Sequence, residues 1–112
     1  MDKITLLKLH CQEIPPQQGP LAPEAITSSL KAVPEWKSGE KKIERKIVFK
    51  NFVMALEFVN DVGRLAEAEQ HHPDIFIHYN QVTFSLWTHT VGGLSTNDFI
   101  MATKIDALYA RG

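Results

Sequence analysis

The sequence has 112 residues, of which 44% are hydrophobic, with 12 lysines and arginines against 13 aspartates and glutamates. This length favours one domain that can bury a sizeable core without disulfides or a structural metal. A net charge of −1 lacks the basic excess that phosphate-backbone binding requires, and no apolar stretch reaches the roughly 20 residues of a membrane span. We therefore expect no nucleic-acid or membrane partner. A lone cysteine, Cys11, and no secretory leader predict the reducing cytoplasm.

The first 20 residues have a composition that opposes regular structure. They contain Pro15, Pro16, Gly19 and Pro20, which disfavour both a helix and a central strand. We predict an irregular N-terminal arm over residues 1–20, followed by a single domain over residues 21–112.

Three segments carry helix signals. Pro23 suits a first helical turn, Asn51 is a good N-cap before a long apolar stripe, and the run from Ser95 to Asp98 has the form of a capping box. The predicted helices cover residues 23–32, 52–69 and, after the capping box, a segment ending near residue 110.

Strand signals fall between the helices. Two strand-like pieces are predicted within residues 41–49 behind a turn at 38–40, and period-two alternation predicts strands over 75–79 and 82–87. Asn80-Gln81 is the predicted two-residue turn of the second pair, because Asn tolerates the positive φ that such a turn requires. Strand pairs joined by short turns favour antiparallel pairing, and helices with apolar stripes must cover a sheet, so we predict an α+β layer fold.

Four of the five histidines lie between residues 71 and 89. If Tyr79 pairs with Val82, the same ladder continued beyond the strands places His72 opposite His89. His71 is adjacent in the chain. The hairpin therefore predicts a cluster of imidazoles from two separate segments.

Glu67 lies four residues before His71, so a helix continuing that far would let the carboxylate reach the imidazole. Imidazoles exchange protons near neutral pH, which suits acid–base chemistry. A structural role is equally compatible with the spacing, since His71 and His72 could satisfy the carbonyls at a helix end and Asp98 could be only a cap. Three imidazoles could also bind zinc, although no HExxH motif or cysteine ligand supports a metal.

Beyond these spacings, the sequence resembles the pterin-4a-carbinolamine dehydratases. The resemblance rests on the run from Glu67 through His71-His72-Pro73, followed by Tyr79, His89 and Asp98 at the family's intervals. Phe49-Lys-Asn-Phe52, the Thr88-His89 pair with Gly92-Gly93-Leu94-Ser95, and Trp36 extend it over roughly residues 22–110.

The resemblance implies a four-stranded antiparallel sheet with three α-helices packed on one face. It also implies a hydro-lyase that removes water from a 4a-hydroxytetrahydropterin without any cofactor, giving the quinonoid dihydropterin in the recycling of tetrahydrobiopterin. His71 and His89 would be the acid–base pair, His72 would bind and orient the pterin, and Glu67 would tune His71. Asp98 would support the substrate site, and Trp36 would wall the pocket.

The family also implies partners. Its members form homodimers and homotetramers, and the last helix offers Met101, Ile105 and Leu108 as an apolar strip for such an interface. The enzyme would serve an aromatic amino-acid hydroxylase. Some members instead assist the assembly of other proteins, so a non-catalytic protein-binding module is the alternative function. Ile75 and the Ile77-His78 pair depart from some members, which could alter the pocket rim or subunit contacts.

Overall fold

The computed structural model describes residues 1–111. Its four α-helices are α1 (Lys3–Lys8), α2 (Pro23–Leu30), α3 (Phe52–Glu69) and α4 (Thr96–Arg111). Its four strands are β1 (Lys37–Ser38), β2 (Ile43–Val48), β3 (Asp74–His78) and β4 (Gln81–Leu86). Short 3₁₀ turns occupy Pro16–Gln18 and His89–Val91.

The strands form one antiparallel sheet in the order β1-β2-β4-β3. Alternate residues of the central strand β4, namely Val82, Phe84 and Leu86, are fully buried, so one face of the sheet carries the core. Phe58 of α3 packs edge-on against Phe84 at 5.8 Å between ring centroids. The predicted α+β fold is confirmed, with α1 as an additional short helix.

Helix α3 has the bounds that the sequence predicted. The Asn51 side chain accepts a hydrogen bond from the Met54 amide at 2.9 Å, which satisfies one of the free N–H groups of the first turn. Ala55, Val62 and Ala66 are buried along one stripe of the helix. Capping and periodicity therefore account for the observed bounds of α3, and the candidate site described below begins where this helix ends.

The hairpin register differs from the prediction. Val82 pairs with Ile77, not Tyr79, and His78 pairs with Gln81, so the two turn residues are Tyr79 and Asn80. Tyr79 adopts the positive φ of 54° that was expected at Asn80. Asn80 instead ties the turn to the end of β2, because its side chain donates to the Phe49 carbonyl at 2.8 Å.

The N-terminal arm is more ordered than predicted. Residues 3–8 form α1, whose first turn is capped by a hydrogen bond from the Thr5 amide to the Asp2 carboxylate at 2.8 Å. Leu6 is only 1% exposed because α1 packs against α4. The prediction of an irregular arm is wrong for these residues, since tertiary burial stabilises a helix too short to persist alone.

Helix α4 is buried over much of its surface. Met101 and Ile105 are fully buried in the core, and Leu108 packs against it half-buried. The prediction of an oligomerisation strip is wrong for Met101 and Ile105, because both are buried inside this chain, whereas Leu108 is only partly covered. Across residues 1–111, every helix is too short or too polar to cross a membrane.

Candidate active site

The candidate site begins where α3 ends. Gln70 adopts the left-handed conformation, with φ 54° and ψ 37°, and its amide bonds back to the Ala66 carbonyl. The following His71 amide also bonds to Ala66, at 3.3 Å. This left-handed C-cap turns the chain out of the helix, so the two histidines leave α3 in a new direction.

His71 is paired with a buried carboxylate. Its Nε2 lies 2.7 Å from Asp98 Oδ1, and the Asp98 side chain is 0% exposed. The other oxygen, Oδ2, accepts hydrogen bonds from the Ser95 amide and the Thr88 hydroxyl, both at 2.9 Å. An ionised carboxylate only accepts, so Nε2 of His71 carries the hydrogen and Nδ1 is the basic nitrogen of the neutral ring.

Asp98 caps α4 and is also hydrogen-bonded to His71. Its bond to the Ser95 amide is the reciprocal half of a capping box at the start of α4. The Asp98 side chain is 0% exposed, so it has no surface for a ligand. The prediction that Asp98 takes part in substrate binding is therefore wrong as a direct contact.

The loop between β4 and α4 is tied to the same carboxylate. Thr88 pairs with Gly93 across the loop, its amide donating to the Gly93 carbonyl at 2.8 Å. Because the Thr88 hydroxyl donates to Asp98, the Ser95 hydroxyl donates to Thr88, over 2.6 Å between their oxygens. This network fixes the loop that carries His89 relative to His71.

Glu67 pairs with a different histidine from the one predicted. Its Oε2 lies 2.5 Å from Nε2 of His72, and both side chains are more than half exposed. The prediction that Glu67 tunes His71 is wrong because α3 ends at Glu69, which removes the helical i, i+4 relation. Each of the two adjacent histidines therefore has its own carboxylate.

His89 stacks on Trp87. The two rings lie 3.7 Å apart between centroids with an interplanar angle of 22°. The observed hairpin register, continued beyond the strands, brings residue 87 rather than His89 opposite His72. Trp87 was missed by the sequence reasoning; its position two residues before His89, at the end of a strand, was the available signal.

These side chains share one hollow of about 510 Å³. Its wall is built from three stretches of chain and one residue of α4: residues 12–16, residues 70–72, residues 87–90 and Asn97. His71, His72 and His89 all line it. The structure therefore brings together the three imidazoles that the sequence singled out, although through another register.

Trp36 lies outside this hollow. Its ring is 3% exposed within the core, and its indole N–H donates to Asp106 at 2.8 Å. Arg45 also donates to Asp106, at 2.6 Å. The prediction that Trp36 walls the pocket is wrong, since a buried indole N–H needs a partner and the core supplies one.

Neither the Cys11 thiol nor a metal ion held by residues 1–111 is suited to provide the chemistry of this hollow. Burial and the nearby Glu69 carboxylate raise the pKa of the Cys11 thiol to about 12, so this cysteine stays protonated and is a poor nucleophile. Within the described part of the chain, no three His, Cys, Asp or Glu side chains are arranged to hold a metal ion. The arrangement is suited to proton transfer and to hydrogen bonding of a polar ligand.

Fold and site together define an α+β protein with a histidine-lined ligand hollow. Residues 19–108 match the family described as Pterin 4 alpha carbinolamine dehydratase. A relative in Chlorobaculum tepidum, provisionally named a pterin-4-alpha-carbinolamine dehydratase, is 45% identical over 103 residues, which are 88% of this chain and 93% of the relative. One in Marinobacter nauticus with the same provisional name is 50% identical over 84 residues, 71% of this chain and 76% of the relative.

Solved structures show the same likeness. A transcriptional coactivator/pterin dehydratase from Brucella melitensis is 33% identical with a TM-score of 0.76, over 80% of this chain and 98% of that one. A pterin dehydratase-like RuBisCO assembly factor of the alpha-carboxysome is 19% identical with a TM-score of 0.55, over 65% of this chain and 84% of that one, and shares the fold alone. The chain belongs to the pterin-4-alpha-carbinolamine dehydratase family, which confirms the resemblance found in the sequence.

Proposed function

We propose that this protein is a 4a-hydroxytetrahydrobiopterin dehydratase. The observation that carries the proposal is the sharing of one hollow by His71, His72 and His89, two of which are hydrogen-bonded to carboxylates. Its setting would be the cytoplasm, where it would recycle the pterin used by an aromatic amino-acid hydroxylase.

The reaction matches what imidazoles can supply. A general acid gives a proton to the 4a-hydroxyl, the C4a–O bond breaks, and water leaves. A general base takes the proton from N5, and the N5–H electron pair forms the N5=C4a double bond of the quinonoid product. No electrons are gained or lost, so an acid and a base on one planar ring are sufficient without a metal or organic cofactor.

His71 and His89 are the proposed acid–base pair. The Asp98 carboxylate holds Nε2 of His71, leaves Nδ1 free to accept a proton and stabilises the imidazolium that forms, so His71 suits the base. Among residues 1–111, no side-chain hydrogen bond involves the exposed ring of His89, and its nitrogens are open to the substrate. We therefore assign the acid role to His89.

His72 and Glu67 are proposed to bind and orient the pterin. His72 lines the hollow, and Glu67, which is outside its lining, is hydrogen-bonded to His72 at 2.5 Å; both side chains are exposed. A 2-amino-4-oxopyrimidine ring offers both donors and acceptors, which a carboxylate–imidazole pair can match. These two residues should affect KM more than the proton-transfer steps.

The test replaces His71 and His89 separately with alanine. Dehydration of freshly generated 4a-carbinolamine is followed in a coupled or stopped-flow assay, with circular dichroism as the check on folding. Each substitution should lower kcat by about 10²–10⁴-fold, the usual contribution of general acid–base catalysis. His78→Ala is the matched control, since His78 lies on β3 away from the hollow. Unchanged turnover in both variants would refute the proposal.

A non-catalytic protein-binding module is the second candidate function, and a second copy of this chain is the partner proposed for it. It is favoured by large apolar side chains that this chain leaves exposed on and beside strand β3, with Phe76 at 67% and Tyr79 at 65% exposure. We propose self-association into a dimer or tetramer through this surface. Light scattering should report a species larger than 12.7 kDa that dissociates in a Phe76→Lys variant. A monomeric wild-type protein would contradict self-association.

A further inference from the structure

The N-terminal arm crosses the candidate active site. Five consecutive residues, 12–16, form one of the walls of the hollow, and residues 12–15 belong to no helix or strand. We name residues 12–16 the strap. Apart from the first residue of the 3₁₀ turn Pro16–Gln18, the strap is irregular backbone, so its position depends on what holds its two ends.

A buried carboxylate holds the incoming end of the strap. Glu69, the last residue of α3, is 8% exposed and accepts from the Cys11 amide at 2.7 Å through Oε1. Its Oε2 lies 2.7 Å from His10 Nδ1 and 3.4 Å from Lys104 Nζ. Burial alone would raise the pKa of Glu69, but the bonds from Cys11 and His10 and the Lys104 charge outweigh it and lower the pKa.

A side-chain amide holds the next residue. Asn97, 7% exposed in the first turn of α4, accepts from the Gln12 amide at 3.0 Å. It also donates to the Gln12 carbonyl at 2.6 Å, so both backbone groups of Gln12 are satisfied by one side chain. The Cys11 thiol donates to the Asn97 carbonyl at 3.5 Å. Glu69 and Asn97 together fix the entry of the strap over consecutive residues.

The chain that follows the strap is fixed at residues 20 and 21 to the loop that precedes α4. The Leu21 amide donates to the Leu94 carbonyl at 2.8 Å. A Cβ added to Gly93 would lie 2.9 Å from Pro20 Cβ, closer than real Cβ atoms approach, so the glycine permits this contact. The strap is therefore anchored at both ends to the elements that carry His71 and His89.

We infer that the strap is part of the pterin-binding surface, and that Glu69 positions it. The inference rests on the proposed function and adds residues that lie outside the histidine motif. The strap contributes the apolar Ile14 and two prolines to a hollow whose other walls are imidazoles, an indole and polar side chains. An apolar wall of this kind suits one face or edge of a flat bicyclic ring.

The anchoring explains how an irregular segment can contribute affinity. An unanchored strap would have to be ordered when the ligand binds, and that entropy cost would weaken binding. If the bound arrangement is populated in only a fraction of molecules, the apparent dissociation constant rises by the inverse of that fraction. Removing the anchor should therefore raise Kd and KM, while the proton-transfer groups, and hence kcat, are unchanged.

The experiment measures binding and turnover separately in Glu69 variants. Kd for 7,8-dihydrobiopterin is obtained by isothermal titration calorimetry, and kcat and KM come from the carbinolamine assay. Glu69→Ala should raise Kd and KM by about tenfold or more, with kcat within threefold of wild type. Glu69→Gln keeps an oxygen for the Cys11 amide, so it should recover most of the affinity. Gln17→Ala, exposed on the same arm outside the hollow, is the control and should bind like wild type.

A second variant acts on the strap without touching its anchors. Ile14→Ala shortens the wall itself and should raise Kd about threefold to tenfold with an unchanged melting temperature. This variant decides the question if Glu69→Ala does not fold. If the wild-type protein binds the pterin, and Kd is unchanged in Ile14→Ala and in every folded Glu69 variant, the role of the strap is overturned while the proposed function stands. Absence of both binding and turnover in the wild-type protein removes the proposed function and this inference with it.

Discussion

Replacing Asp98 with asparagine tests the central hydrogen-bond network at nearly constant volume. The fully buried carboxylate accepts three hydrogen bonds, at 2.7, 2.9 and 2.9 Å, from His71, Thr88 and the Ser95 amide. An amide has one oxygen and one NH₂ group. If the NH₂ group takes the place of Oδ2, it faces the Ser95 N–H and a buried donor loses its acceptor; if it takes the place of Oδ1, the His71 ring must change tautomer. A buried donor left without an acceptor costs about 2 kcal/mol, which corresponds to a melting point lower by roughly 8 °C in a domain of this size.

The expected loss of activity is larger than the loss of stability. If the NH₂ group faces His71, it donates to Nε2 and forces the hydrogen onto Nδ1, so the basic nitrogen changes place. In the Ser-His-Asp hydrolases the same Asp-to-Asn change lowers kcat by roughly 10⁴-fold. We expect a decrease of about 10²–10⁴-fold in kcat for the Asp98→Asn variant, measured with freshly generated carbinolamine.

Two comparisons separate this effect from general damage. Asp61→Asn removes a half-exposed carboxylate that, among residues 1–111, pairs with Arg64 alone on the surface of α3, so it should leave turnover unchanged and cost less than about 0.5 kcal/mol. Because Asp98 acts through His71, the Asp98→Asn/His71→Ala double variant should be no slower than His71→Ala alone. A folded Asp98→Asn protein with turnover within threefold of wild type would refute the reasoning.

Three further outcomes follow from groups outside the proton-transfer pair. Cys11 has a pKa of about 12 against an ordinary 9.0, so its thiolate is scarcer but more nucleophilic, and it should react with a disulfide reagent at pH 8 about 30–60-fold more slowly in the folded protein than in urea. Equal rates would contradict its burial. Trp36→Phe removes the hydrogen bond to Asp106, so urea unfolding should show a free energy of unfolding lower by about 1–2 kcal/mol, while KM stays within twofold. A large rise in KM would indicate that Trp36 does contact the substrate. Folding lowers the pKa of Glu69, so the stability that its carboxylate contributes is complete above the unfolded pKa of 4.5 and is lost as pH falls through the folded pKa. Acid should therefore destabilise the wild-type protein more than the Glu69→Gln variant. Parallel acid-unfolding curves would contradict this.

Local signals predicted the helices well because local interactions determine them. The N-cap at Asn51 and the apolar stripe that follows it fix both ends of α3 without reference to the rest of the chain. The capping box that includes Asp98 likewise fixes the start of α4. The same signals could not show that Met101 and Ile105 would be buried, since that depends on which elements cover α4.

The errors arose where tertiary contacts override local preference. Asparagine was expected at positive φ in the hairpin turn, but Asn80 is held by β2 and Tyr79 takes that conformation, which shifts the register. The left-handed Gln70 ends α3 at the predicted residue but turns the chain, so that Glu67 pairs with His72 and not with His71. Neither contact is encoded in a spacing.

The site is the part that the sequence predicted by residue type and not by geometry. His71, His72 and His89 were chosen for their chemistry, and they line one hollow although the ladder used to join them was wrong. Asp98 was expected to be a cap, and its second role required knowing that α4 begins beside the end of α3. The strap could not be anticipated, because its position depends on Glu69 and Asn97, whose side chains bind backbone amides 58 and 85 residues away in sequence.

The most direct test of the account is a titration of the protein, labelled with ¹⁵N at its histidine rings, with 7,8-dihydrobiopterin by NMR. The five histidines give separate reporters, two of which, His10 and His78, lie outside the wall of the hollow. The account predicts that the ring signals of His71, His72 and His89 shift together with one dissociation constant while His78 does not move. Shifts confined to one of the three rings, or centred on His78, would contradict a shared pterin site.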